Sequence, residues 1–188
     1  MSDLMLDVDQ AGELKAAFRR GDLTNAEIKR LCEGDTLVQF RKVLLGHAAI
    51  TVPEHLIDCD ADPFLPDGWK VEEHQKGGQF KWDASQVNLW LAKGQQNGKW
   101  LEGNKLRKEL AGKPVLNANV LDYLLKNPQL IPEEWKGKAI FFWGTVYRNR
   151  DGNLYVRCLF WYGDRWDWYI HWLDYDFNDN DPAALRAS

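Results

Sequence analysis

The sequence has few cysteines and no long apolar run. Its three cysteines, Cys32, Cys59 and Cys158, are too few and too widely spaced for a disulfide framework. The longest nearly continuous apolar stretch, residues 139–147, is far shorter than the roughly 18 residues that a membrane span requires. The first residues include an acid where a secretory signal would carry basic residues. These absences predict a cytoplasmic protein without a membrane partner.

An excess of basic charge is also missing. The chain has 24 lysines and arginines against 28 aspartates and glutamates, which gives a formal net charge of −4. Proteins that bind nucleic acid over a broad surface are usually basic, so we do not expect a nucleic-acid partner. The 188 residues, 45% of them hydrophobic, are enough for a globular fold with its own core.

A third absence is confined to the C-terminal end of the chain. Residues 149–188 contain no lysine, glutamate, glutamine or methionine, although the first 148 residues contain 34 of them. At the same frequency, about nine would be expected in the last 40 residues. Solvent-exposed surfaces ordinarily use lysine and glutamate freely. The depletion therefore indicates that this region does not form an ordinary solvated surface.

The residues that fill the C-terminal region point to a cause in the gene. They include asparagine, aspartate, tyrosine, histidine, cysteine, phenylalanine, leucine and isoleucine, together with tryptophan. The first eight can all be encoded with a pyrimidine in the third codon position, and the tryptophan codon contains no adenine. A process that rewrites adenines in asparagine-type codons would produce this set and leave tryptophan unchanged. It would also exclude lysine, glutamate, glutamine and methionine from the rewritten positions.

Residues 1–50 are predicted to form a helical element. Apolar residues recur at helical spacing, Gly21 ends the first helix, and Thr24 with Glu27 has the spacing of a capping box. The alternatives for this element are a packing or oligomerisation role and a helix-turn-helix. The second alternative lacks a dense basic face. Residues 51–68, rich in proline and aspartate, are predicted to be a linker.

Residues 69–188 are predicted to form a mixed module that ends in an antiparallel, tryptophan-rich sheet, so the fold class is α+β. The apolar run from Ala139 to Tyr147 has the length of a strand that is buried on both faces. Two-residue turn signals at Asp151-Gly152 and Gly163-Asp164 then separate two further strands, 154–162 and 165–173.

The Gly163-Asp164 turn fixes the register of the last hairpin, in which Tyr162 pairs with Arg165. Side chains on each strand alternate between the two faces of the sheet. We expect one face to be core because its residues are uniformly large and apolar: Leu159, Trp161, Trp166, Trp168, Ile170 and Trp172. The opposite face mixes a thiol, aromatic rings, charges and an imidazole: Cys158, Phe160, Tyr162, Arg165, Asp167, Tyr169 and His171. A face of such mixed chemistry is either solvated or used for recognition.

Residues 115–188 resemble a known bacterial module. The motifs that carry the resemblance are Asn117–Tyr123, Phe141–Arg148, Asp151–Arg157, Arg165–Asp174 with its three tryptophans, and Asp181–Ala184. They are similar to the C-terminal module of bacterial proteins that are associated with the targets of diversity-generating retroelements. In those systems, a reverse transcriptase copies a template with adenine errors into the 3′ end of the target gene. The resemblance implies a variable region at about residues 155–181, and a C-type-lectin-like arrangement is one fold that it allows.

These observations predict a ligand-binding protein with a diversified C-terminal display surface, not an enzyme, whose partner is a protein or a small molecule. The predicted contact residues are Cys158, Phe160, Tyr162, Asp167, Tyr169, His171, Tyr175 and Asn178. We expect no cofactor and assign no metal ligands, although the alternating aspartates and asparagines of residues 174–180 leave calcium open. Two alternatives remain: a fixed module that binds carbohydrate or protein, and a nucleic-acid-binding regulator that uses the N-terminal helices.

Overall fold

The computed structural model describes residues 7–50 and 54–187. The predictions for the first six residues, and for residues 51–53 of the linker, therefore lie outside the described residues. The chain divides into two compact units, with the boundary between Pro53 and Glu54. Among the described helices, none is both long enough and apolar enough to cross a membrane.

The first unit contains the three helices predicted from the sequence: α1 (Val8–Arg20), α2 (Asn25–Leu31) and α3 (Thr36–Leu44). Gly21 follows the last residue of α1, and Thr24 forms the predicted capping box with Glu27, which satisfies backbone N–H groups at the start of α2. None of the helix residues is buried, and apolar side chains of α3, such as Leu37 and Leu44, are exposed.

The second unit has an α+β fold, as predicted. Its two longer helices are α4 (Gly103–Leu110) and α5 (Ala118–Lys126). Its strands are β1 (Leu56–Asp58), β2 (Lys70–His74), β3 (Gln79–Lys81), β4 (Val87–Trp90), β5 (Leu101–Glu102), β6 (Ala139–Arg148), β7 (Leu154–Tyr162), β8 (Arg165–Trp172), β9 (Asp176–Phe177) and β10 (Ala183–Arg186).

Part of the predicted linker belongs to this second unit. Leu56–Asp58 forms β1, which pairs antiparallel with β3, and Ile57 and Cys59 are buried. Pro63, Pro66, Asp60, Asp62 and Asp67 instead occupy the loop between β1 and β2. The assignment of residues 54–68 to a linker is wrong because the buried side chain of Ile57 on β1, and that of Cys59 just after it, anchor the segment to the core.

The main sheet has the strand order β4-β10-β6-β7-β8, and β2 also pairs with β6. β6 is its central strand, and residues 140–147 are buried on both faces, as the apolar run predicted. The register of the last hairpin also matches the prediction, with Tyr162 opposite Arg165 and Cys158 opposite Tyr169. The two-residue turn and the side-chain alternation are therefore sufficient to place the residues of the hairpin.

Apolar clusters cover both faces of the sheet. On one face, α5 packs against Ile140, Phe142 and Leu159. On the other face, residues of α4 pack with Phe141 and Cys158. The predicted contrast between a core face and an exposed face is therefore too simple. Four tryptophans of the predicted core face are only half-buried: Trp161, Trp166, Trp168 and Trp172.

The two faces of the hairpin still differ in burial at Trp168 and Tyr169. Trp168 packs against the cluster under α5 and against the ring of Phe64, with 5.8 Å between centroids, whereas the side chain of Tyr169 is 59% exposed.

Replacing a fully buried tryptophan with alanine lowers the free energy of unfolding by about 3–5 kcal/mol, and replacing a half-buried one lowers it by less. We therefore expect Trp168→Ala to lower the free energy of unfolding by about 2 kcal/mol. Tyr169→Ala should lower it by less than about 1 kcal/mol in the same urea titration. Equal losses would contradict this assignment of the two faces.

Candidate ligand-binding surface

Three exposed tyrosines mark the surface formed by the last hairpin and the turn after it. The side chains of Tyr162, Tyr169 and Tyr175 are 64%, 59% and 58% exposed. Tyr162 lies edge-on to Phe160, with 6.2 Å between ring centroids, and Tyr175 lies edge-on to His171 at 5.9 Å. Tyrosines expose a large contact area and lose little conformational entropy on binding, as in antibody paratopes. We call the surface formed by Phe160, Tyr162, Asp167, Tyr169, His171 and Tyr175 the display surface.

A cavity of about 550 Å³ opens on the display surface. Four of the predicted contact residues line it: Cys158, Phe160, Tyr169 and His171. Its volume lies within the range of about 300–1,000 Å³ that is usual for small-molecule sites. The cavity is therefore large enough to receive a small ligand or a protruding side chain of a protein.

The ring of His171, which lines the cavity, packs against other aromatic rings. Its centroid is 4.6 Å from that of Phe177 and 5.9 Å from that of Phe141. Burial lowers the pKa of His171, although the nearby charge of Asp181 raises it in part. The neutral imidazole is therefore favoured at neutral pH. Its Nε2 atom is shielded from solvent and has no hydrogen-bond partner among the described residues.

Asp181 also lines this cavity, and its carboxyl group is partly desolvated. Burial raises its pKa, whereas a hydrogen bond from the backbone N–H of Asn178, at 2.8 Å, lowers it. Gln95 supports the same turn, since its amide nitrogen donates to the carbonyl oxygens of Asn178 and Asp181. The cavity is thus lined by aromatic residues together with a histidine and an aspartate.

Cys158, a predicted contact residue, lines the cavity but is buried. Its side chain is 2% exposed and packs in the core cluster with Phe141 and Val156. Burial raises the pKa of the Cys158 thiol to about 12. Alternation placed Cys158 on the correct face of β7. It could not show that this part of the face is covered by the cluster to which α4 contributes. A buried, protonated thiol is also a poor nucleophile.

Thiol reactivity tests this placement. Cys32 is exposed, whereas Cys59 and Cys158 are buried, and burial raises the pKa of Cys59 to about 11. We expect the folded protein to react rapidly with a thiol reagent such as DTNB at Cys32 alone, because thiolate is the reactive species. All three cysteines should react in denaturant. Rapid labelling of Cys158 in the folded protein, detected by mass spectrometry, would contradict its burial.

Two other predicted residues have structural partners. The carboxylate of Asp167 accepts a hydrogen bond from the N–H of Trp168 at 2.8 Å and lies 3.5 Å from Arg165. The side-chain oxygen of Asn178 accepts a hydrogen bond from the N–H of Asn180 at 2.7 Å. Asp167 lies on the hairpin beside the exposed tyrosines, whereas Asn178 stabilises its own turn and does not line the cavity.

Sequence reasoning missed several residues that line the cavity, including Phe141, Lys138, Asn180 and Asp181. Phe141 lies on β6 opposite Cys158, in a pairing that shifts at a bulge further along the strand. The alternation within β6 could have suggested Phe141, but no local signal gives the position of the bulge. Asn180 and Asp181 lie in the turn before β10, and only tertiary packing brings this turn to the cavity.

Side chains among residues 174–180, for which calcium was left open, make hydrogen bonds within the protein. Asp174 accepts a hydrogen bond from the side chain of Asn104 at 2.7 Å, and Asn178 is bonded within its turn. Within residues 7–50 and 54–187, no group of three or more histidine, cysteine, aspartate or glutamate side chains is close enough to hold a metal ion.

Comparisons with protein-family models, with curated proteins and with solved structures give no match for this chain.

Proposed function

We propose that the protein binds ligands through the display surface and that this surface is diversified in the manner of the target proteins of diversity-generating retroelements. The observation that carries the proposal is the coincidence of two independent features. The segment that lacks lysine, glutamate, glutamine and methionine also supplies the exposed tyrosines beside a cavity of about 550 Å³.

The exposed part of this surface suits repeated substitution. Phe160, Tyr162, Tyr169 and Tyr175 are half-buried or exposed, and the backbone beneath them is held by eight paired positions between β7 and β8. Substitutions at exposed positions usually change the free energy of unfolding by less than about 0.5 kcal/mol. Side chains can therefore change here while the backbone stays in place.

The opposite face of the hairpin supplies fixed residues. Trp166 and Trp168 pack against the cluster under α5, and the guanidinium of Arg157 lies 4.2 Å from the ring centroid of Trp168. Tryptophan codons contain no adenine, so an adenine-directed process leaves these side chains unchanged. The same process would thus vary the binding surface and preserve its support.

A pair of libraries tests the proposal. In the first, Phe160, Tyr162, Asp167, Tyr169 and Tyr175 are varied among residues such as asparagine, aspartate, serine, tyrosine, histidine and phenylalanine. We expect most members to fold, and selection on immobilised lysozyme or serum albumin to yield specific binders, since a few central aromatic residues usually dominate binding energy.

The matched control library varies Leu159, Trp166 and Trp168, which pack in or against the cluster under α5 on the opposite face, among the same residues. We expect most of its members to lose cooperative unfolding. Failure of the first library to fold, or folded members from which no binder is selected, would contradict the proposal. The latter result would instead favour a module with one fixed ligand.

A further inference from the structure

A second cleft lies away from the display surface, between α4 and β2. It has a volume of about 850 Å³, and its walls include Glu73, Arg107, Lys108, Leu110 and Trp143. All of its lining residues precede residue 149, so it lies outside the segment depleted in lysine and glutamate. Whatever this cleft binds is therefore independent of the proposed diversification.

The cleft carries a positive charge that is not neutralised locally. Arg107 on α4 forms an ion pair with Glu73 on β2, so these two charges compensate each other. Lys108, the next residue on α4, is exposed and has no ion-pair partner among the described residues. The ring nitrogens of His74 add no free donor, since they contact Thr145 Oγ1 at 2.9 Å and the carbonyl oxygen of Cys59 at 3.1 Å.

Trp143 provides a second, independent indication of a ligand. This residue of β6 is 3% exposed and lines the cleft, and its indole Nε1–H has no hydrogen-bond partner among the described residues. A buried donor without a partner is unfavourable, so an acceptor that reaches it is bound more strongly than at an ordinary surface. Leu110 and Val115 add apolar wall to the same cleft.

We propose that this cleft binds a small organic carboxylate with an aromatic or aliphatic body. The carboxylate pairs with the ammonium group of Lys108 and accepts a hydrogen bond from the indole N–H of Trp143. The body packs against Leu110 and Val115. Side-chain rotamer changes, which are common on binding, give the carboxylate access to the shielded indole.

Phenylacetate is a suitable probe, and 2-phenylethanol is a neutral molecule of similar shape. The readout is the indole ¹H–¹⁵N cross-peak of Trp143 in the labelled full-length chain, assigned by its loss in Trp143→Phe. We expect phenylacetate to shift this peak saturably. 2-Phenylethanol cannot form the ion pair with the Lys108 ammonium group. It should therefore bind at least about tenfold more weakly, the factor expected for the loss of one hydrogen bond between charged groups. Inorganic phosphate should not shift the peak saturably, because it has no body to fill the apolar wall.

Two lysine variants complete the test. Lys108→Gln should raise the dissociation constant for phenylacetate by about tenfold. Lys105→Gln, on the same helix but outside the cleft lining, should leave it within about twofold. The absence of a saturable shift with phenylacetate would overturn the proposal. Equal binding of 2-phenylethanol, a saturable response to phosphate alone, or equal effects of the two lysine variants would also overturn it.

Discussion

Asp122→Ala should be among the most destabilising single substitutions in the second unit. Arg157 on β7 is 1% exposed, and its guanidinium makes two hydrogen bonds to the carboxylate of Asp122 on α5, at 2.7 and 3.2 Å. Removing the carboxylate leaves a buried charge without its partner, which typically costs about 3–5 kcal/mol. The contacts of the Arg157 guanidinium with the rings of Trp168 and Phe64 compensate only part of this loss. Urea unfolding followed by tryptophan fluorescence measures the difference.

A second ion pair provides the matched control. Arg148 and Glu72 also form two hydrogen bonds, both at 2.7 Å, but each of their side chains is 29% exposed. Water therefore solvates either charge after the other is removed, so Glu72→Ala should destabilise the protein much less than Asp122→Ala does. Similar losses for Asp122→Ala and Glu72→Ala would show that the burial of Arg157 is not what makes its pair important.

Gly144→Ala should also destabilise the second unit strongly. Gly144 lies on β6, and its N–H donates to the carbonyl oxygen of Leu116 at 2.9 Å. A Cβ atom added there would lie 2.9 Å from the backbone N and Cα of Asn117, the residue that caps α5. These atoms are backbone, so β6 and the start of α5 would have to separate. We expect a loss of about 3 kcal/mol in the free energy of unfolding, at the upper end for overpacking.

Gly77→Ala is the control for this glycine. A Cβ atom at Gly77 would meet only the side chain of Cys59, at 3.4 Å, which is an ordinary contact distance. Its backbone also lies outside the left-handed region, so alanine is not strained there. We expect Gly77→Ala to change the free energy of unfolding by less than about 1 kcal/mol. A Gly144→Ala protein as stable as Gly77→Ala would mean that α5 does not pack so closely on β6.

The sequence predicted the elements whose signals are local. Thr24 and Glu27 specified the start of α2, the run around Phe142 specified the central strand, and Gly163-Asp164 specified the register of the last hairpin. In each case, the signal consists of residues close together in the chain. These residues determine a hydrogen bond, a buried stretch or a turn geometry without help from distant elements. The α+β class followed from these elements.

Features that depend on tertiary packing could not be predicted. Cys158 and Tyr169 share a face and are paired across the hairpin, yet one is buried and the other is exposed. The difference arises because Cys158 packs with Phe141 on β6, in the cluster to which α4 also contributes. Alternation gives the face on which a side chain lies, but not which distant element covers that part of the face. The pairing of Arg157 with Asp122 was missed for the same reason.

The measurement that tests the central claim most directly is a comparison of the gene with any near-copy of its 3′ end in the same genome. The account predicts such a near-copy beside a reverse transcriptase gene. The differences between copy and gene should fall at adenines of the copy, cluster in codons 158–180 and leave the codons of Trp161, Trp166, Trp168 and Trp172 unchanged. Differences spread evenly over all four bases, or as frequent in the tryptophan codons as in those of Tyr162 and Tyr169, would contradict it.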